Sequence, residues 1–284
     1  MKSFFKRYCR NYGAMIGLIV LLAVVVVSFV APMLYEESPW MMVAEPLMKP
    51  FADMAYPFGT DMLGRDITAG LLYGARVSLL VGVISTAVAL VVGVLVGSVA
   101  GYCGGRIDDA LMRVTEFFQT IPQLAMAVVI VAIFNPSIYS IVGAISVVSW
   151  PPVARLVRGE FLSLKQREFV QAAIVIGQRP LRIILAQILP NAMSPIIVSA
   201  SFMVATAILT ESALSFLGLG DRNMMSWGFM IGAARTMIRE AWWMSVWPGV
   251  AILLTVLAIN LIGEGLNDAL NPQLRRRGEQ GALR

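Results

Sequence analysis

Long apolar runs broken by short polar stretches set the plan of this chain. The first run, 14–34, follows a basic start with Lys2, Lys6, Arg7 and Arg10. It is longer than the roughly 7–15-residue apolar stretch of a secretory leader, which predicts an uncleaved first span. Runs over 75–101, 111–134, 138–157, 193–217 and 242–266 predict five more, each near the ~20 residues that cross a bilayer. Gly82, Gly93 and Gly97 leave room for a close helix neighbour in the second. Pro122 predicts a kink or an entry point in the third. Trp242, Trp243 and Trp247 suit the membrane–water boundary at the start of the sixth.

The break at 163–190 differs from the others because it is basic and partly apolar at once. Phe169, Ala172, Ala173 and Ile176 recur at three- and four-residue steps, which places them on one face of a short helix. Gly177 suits the left-handed residue that stops a helix. Pro180 suits the first turn of a new one, where its missing N–H costs nothing. The pattern predicts a compact helix–turn–helix outside the membrane, between two spans, where a soluble partner can grip it.

Composition agrees with an all-α polytopic membrane protein. Of 284 residues, 58% are hydrophobic and 14% charged, against about 25% charged in soluble domains. The net charge of +5 is explained by topology rather than by nucleic acid, since the basic residues sit at span ends. The arm, Arg106 and Arg113, the group Arg155, Arg158, Lys165, Arg167, Arg179 and Arg182, and the tail with Arg275, Arg276, Arg277 and Arg284 share one side. Lys49, Arg65, Arg76, Arg222, Arg235 and Arg239 make a smaller set on the other. The positive-inside rule then puts both termini and 163–190 in the cytoplasm. Cys9 and Cys103 fall on that side and read as free thiols. Histidine is absent, which excludes a His-based triad or a His-containing zinc site within the chain. The 17 methionines read as apolar filler, so no metal site is expected. No Gly-Lys-Ser/Thr phosphate loop is present, so ATP hydrolysis is not expected of this chain alone.

Two groups of residues resemble the permeases of ABC importers. In 163–190, Gln171-Ala172-Ala173, then Gly177, then Leu189-Pro190 match the coupling loop of that family, with Gln171 where Glu is usual. Gln keeps the length but loses the charge, which puts the family's ion pair at this place in doubt. The second group is Phe58-Gly59-Thr60-Asp61-Met62-Leu63-Gly64-Arg65-Asp66, followed by Leu72-Tyr73-Gly74-Ala75-Arg76-Val77-Ser78-Leu79. It resembles the peptide/nickel branch. Tyr102 to Arg106, Pro122, Ser215 to Gly220, Trp227-Gly228 and Asn271-Pro272 continue the likeness in order.

The resemblance implies a type I importer permease fold with six spans. It implies a homologous second permease, two ATPase subunits that bind ATP and Mg, and a periplasmic binding protein, with a bacterial inner membrane as the setting. No cofactor is expected in this chain itself. Its coupling residues would be Phe169, Gln171, Ala172, Ala173, Gly177 and Pro190. The organisation expected is a cytoplasmic arm with the first span over 1–34, a periplasmic loop over 35–73, a core over 74–270 and a cytoplasmic tail over 271–284. The cargo expected is a peptide, with nickel or a metal chelate as the alternative inside the branch. An ion-coupled secondary transporter is the alternative outside it.

Two readings fit the outer signature. Gly59 and Gly64 permit unusual backbone angles, and Asp61, Arg65 and Asp66 are near enough to pair. The motif either staples the loop to the second span or forms a lip at the translocation path. Glu211 lies in an apolar run, where ionisable groups face protein or water. It serves either helix packing or a periplasmic gate.

Overall fold

The computed structural model describes residues 8–9, 11–35 and 38–270. Most of the basic arm, Glu36, Glu37 and the tail 271–284 lie outside the described residues. Helices account for the elements found: α1 Tyr12–Leu34, α2 Ile67–Cys103, α3 Gly105–Thr120, α4 Gln123–Phe134, α5 Ile138–Lys165, α6 Glu168–Val175, α7 Pro180–Leu219, α8 Trp227–Ala234 and α9 Trp243–Leu270. Five of them, α1, α2, α5, α7 and α9, are long and apolar enough to cross a membrane, and α3 with α4 make a sixth as a bent pair.

That pair is the kink expected at Pro122 within the run over 111–134. The two helices meet at 85°. Pro122 offers no N–H to the preceding turn, and Ile121 adopts the extended backbone (φ −95°, ψ 132°) that a residue before proline favours. The first arm also starts earlier, at Gly105.

The long helix α2 is the one the others pack around. Gly93, Gly97 and Gly101 repeat every four residues and face α5. A Cβ at Gly93 would lie 2.5 Å from Val153 Cβ, and one at Gly101 would lie 2.6 Å from Phe161 Cβ. Helices in lipid associate through van der Waals contact and not through expulsion of water, so missing side chains let the backbones close up. Gly82 does the same for α7, with Ile208 Cγ1 at 2.9 Å from a Cβ there. Helix α1 is peripheral and leans on α9, where Gly17 sits against the Ala258 carbonyl.

Two buried clusters fix the ends of the bundle. One joins Val153, Val157 and Phe161 of α5 to Val170 and Ala173 of α6 and to Ile183, Ile188 and Ile196 of α7. The other joins Ile67, Ala234, Ala241, Trp243 and Met244, with Phe58 stacked on Trp247 at 4.3 Å. Sequence periodicity separates the second helix of the coupling stretch from the fifth span. Instead the chain runs on as a single helix from Pro180 to Leu219. A π-turn over Ile183–Ile188 explains the continuity: Leu189 N–H reaches back to Ile184 O, and Pro190, which has no N–H to give, follows directly.

Candidate functional site

The coupling residues sit at the end of α5, beyond Lys165. Helix α6 stops in a Schellman turn, in which Gly177 N–H donates to Ile174 O at 3.0 Å and Gln178 N–H to Ala173 O at 3.1 Å. Gly177 takes φ +73°, the left-handed angle that favours glycine. Pro180 opens the next helix as expected.

The face expected to hold Phe169, Ala172, Ala173 and Ile176 together is split, because Ala173 turns away from the other three. Val170 and Ala173 point into the bundle, whereas Phe169, Ala172 and Ile176 face out. Val175 is 84% exposed and Ile176 72%. Arg167, Arg179 and Arg182 frame this apolar surface and are themselves exposed. Pro190 is exposed within α7, on the far side of the π-turn.

Gln171 has a specific partner. Its Nε2 donates to the Lys165 carbonyl at 2.8 Å, a bond an ionised Glu cannot make. Lys165 in turn donates from Nζ to the Tyr102 carbonyl at 2.6 Å and lies 5.3 Å above the Tyr102 ring. About two turns earlier, Arg158 donates from Nε and a terminal nitrogen to both oxygens of Asp108, each at 2.6 Å. Helix α6 is therefore tied to the end of α5, and the end of α5 is tied to the end of α2 and the start of α3. Sequence reasoning counts Arg158 only among the basic residues of one side and misses its bond to Asp108, because no local pattern links residues so far apart in the chain.

At the opposite end, the 38–66 loop folds back on the bundle. Gly59 (φ +79°) and Gly64 (φ +75°) take left-handed angles, and a Cβ on either would collide with the carbonyl of Met48 or Ala44. Asp61 pairs with Arg65 at 2.9 Å. Asp66 does not join them, contrary to the expected trio. It caps α2 instead, accepting Thr68 N–H at 2.7 Å. Burial, the larger effect, pushes its carboxyl pKa up, against hydrogen bonds from Thr68 and Ala69 that pull it down. Trp243 Nε1 donates to the carbonyl of the buried Thr60, which fastens the loop to α9.

Glu211 stands apart from the loop signature. It is 3% exposed, and its Oε1 accepts from Ser215 at 2.9 Å and from Ser226 at 2.8 Å. Ser226 also caps α8. Gly228 passes so close that a Cβ there would lie 2.7 Å from the carboxylate. The cluster joins α7 to α8, and the Ser226-Trp227-Gly228 step is the local signal for it, a capping residue followed by a residue with no side chain.

The family model described as "binding-protein-dependent transport system inner membrane component" matches residues 93–276. The "N-terminal TM domain of oligopeptide transport permease C" matches residues 1–50. A di/tripeptide transport system permease protein of Pseudomonas aeruginosa is 39% identical over 97% of this chain and 93% of its own length. A dipeptide transport system permease protein of Bacillus subtilis is 41% identical over 95% and 85%. An oligopeptide transport system permease protein of Haemophilus influenzae is 38% identical over 95% and 88%. A solved chain of the MetNI methionine ABC transporter, from inward-facing conformations, shares the fold with TM-score 0.61 at 17% identity, over 71% of this chain and 96% of that one. With two-fifths of its residues shared along nearly the whole length of such relatives, this chain belongs to the family of inner-membrane components of binding-protein-dependent transport systems.

Proposed function

We propose that this chain is the permease subunit of an ATP-driven importer in a bacterial inner membrane, and that its cargo is of the peptide class. The cargo assignment draws on the relatives named for di/tripeptide, dipeptide and oligopeptide transport. The observation that carries the mechanism is the outward apolar face of α6, rimmed by arginines and tied at its base. An exposed apolar patch with a polar rim is the mark of a protein contact. Two cytoplasmic ATPase subunits, holding ATP and Mg, dock on this face and on its counterpart in a homologous second permease.

Closure of the ATPases displaces α6. A free loop would absorb that displacement. Here Gln171 passes it to α5, Lys165 to α2 and Arg158 to α3. The spans rock between states open to either side, biased by the difference in affinity for ATP between them. A periplasmic binding protein delivers cargo at the 38–66 lip, with both termini in the cytoplasm.

Val175→Glu with Ile176→Glu tests this reading, because both side chains are already exposed and the fold does not depend on them. The expected result is a normally inserted permease that no longer retains the ATPases and shows no cargo-stimulated ATP hydrolysis. Full stimulation in that variant would overturn the mechanism.

A further inference from the structure

A cavity of about 390 Å³ opens between α5, α7 and α9, on the same side of the bundle as α6. Glu160, Asn191, Ser194, Pro195 and Asn267 line it. The volume is in the range of small-molecule sites. Its chemistry is one-sided. Glu160 supplies a carboxylate. Asn191 commits its Nδ2 to the Gln187 carbonyl at 2.6 Å, which leaves Oδ1 to accept. Pro195 has no N–H for the Asn191 backbone carbonyl four residues back, so a second acceptor is released from the helix ladder. Ser194 and Asn267 add groups that both donate and accept. Among the described residues no Lys or Arg lines the cavity, and Glu160, Ser194 and Asn267 have no side-chain partner.

An acceptor-rich pocket with one negative charge suits a group that is cationic and rich in N–H donors. It repels carboxylates and phosphates. We infer that this cavity is an inner station for the free amino end of a peptide: the α-ammonium at Glu160 and the Asn191 oxygens, the first amide at Ser194 and Asn267. The inference rests on the peptide reading above and adds a cargo contact inside the permease. Blocking the amino end removes the charge and two donors, so an N-acetylated peptide binds this station poorly.

The test uses the assembled complex in lipid nanodiscs without nucleotide. The exposed Cys9 and Cys103 are replaced by serine, and Val198→Cys, on the cavity wall but outside the proposed contacts, is labelled with N-ethylmaleimide, read by the mass of this chain. Dialanine at about twice its Kd slows labelling about threefold, following 1 + [L]/Kd. N-acetyl-dialanine at the same concentration leaves the rate nearly unchanged, and Glu160→Gln abolishes protection by dialanine. The same slowing by both peptides, no slowing by either, or protection that survives Glu160→Gln would each overturn the station. Faster labelling on replacing Arg275, Arg276 and Arg277 by Gln, with no peptide effect, would show that the chain's own tail fills the cavity, and would overturn it too. ATP hydrolysis stimulated by loaded binding protein, measured on the complex that carries the same cysteine substitutions, separates the two failures. Stimulation without protection sinks the station alone, whereas absent stimulation sinks the importer reading.

Discussion

Replacing Ser226 by alanine tests whether the Glu211 cluster holds α8 against α7. Ser226 is 4% exposed, and its hydroxyl makes two bonds at once. It accepts Phe229 N–H at 2.9 Å as the cap of α8 and donates to Glu211 Oε1 at 2.8 Å. Loss of a serine cap costs about 1 kcal/mol. Loss of the second bond leaves Glu211 Oε1 with Ser215 alone, beside an Oε2 that has no partner among the described residues. Under-satisfying a buried acceptor adds roughly 1–3 kcal/mol, for a total of about 2–4 kcal/mol. Ser226→Gly keeps most of the cap and loses only the bond to Glu211, so it falls about 1 kcal/mol short of the alanine variant. The assay is equilibrium unfolding in mixed micelles, followed by tryptophan fluorescence, since Trp227 abuts the cluster. A change under about 0.5 kcal/mol for Ser226→Ala would refute the reasoning, as that is the level of an ordinary surface substitution. So would simple additivity of Ser226→Ala with Glu211→Gln, within about 0.3–0.5 kcal/mol, for groups in direct contact.

Gln171→Glu sets a carboxylate against the Lys165 carbonyl in place of a donor. Amide protection over 167–175 is expected to fall about tenfold in hydrogen exchange, and unchanged protection would show that the bond does not hold α6. Gly97→Val drives a side chain into the Ala154 carbonyl and Val157 Cβ, and should abolish the folded subunit, whereas Gly143→Ala, with nothing within 4 Å, should leave it unaffected. Size-exclusion profiles of the two purified variants decide between these outcomes. Because burial raises the carboxyl pKa of Asp66 in the folded state, the folded form binds its proton more readily than the unfolded chain does. Stability of the 38–66 loop should therefore rise as pH falls through that raised value and level off below about 3.9. Asp66→Asn should remove this slope, as read by loop proteolysis across pH.

Legibility in the sequence followed the distance between partners and the number of solutions a pattern admits. The spans were readable because lipid demands long apolar helices. The packing face of α2 was readable because Gly82, Gly93 and Gly97 admit few reasons other than close approach. Gly177 and Pro180 were readable as a stop and a start because each restricts its own backbone. The bonds from Arg158 to Asp108 and from Lys165 to Tyr102 were not readable, since each joins residues on separate helices that only the folded chain brings together. Glu211 was found as an oddity in an apolar run, but its serine partners depend on where α8 lands.

On α6 the expected face holds for Phe169, Ala172 and Ile176 and fails only at Ala173, and that departure says something about the molecule. Glu168-Phe169-Val170-Gln171-Ala172-Ala173-Ile174-Val175 is apolar at six of its eight positions. A helix period selects a buried stripe only when the opposite stripe is polar. Here both the Val170/Ala173 side and the Phe169/Ala172/Ile176 side are apolar, so the pattern admits either orientation. The fold seats the first on Phe161, Ile183 and Ile188 and leaves the second open. A short helix in water has no reason to be apolar on two sides unless two surfaces cover it, and the bundle supplies only one. On the function proposed above, a second chain covers the open side, and substitutions there should then spare the fold and break the complex.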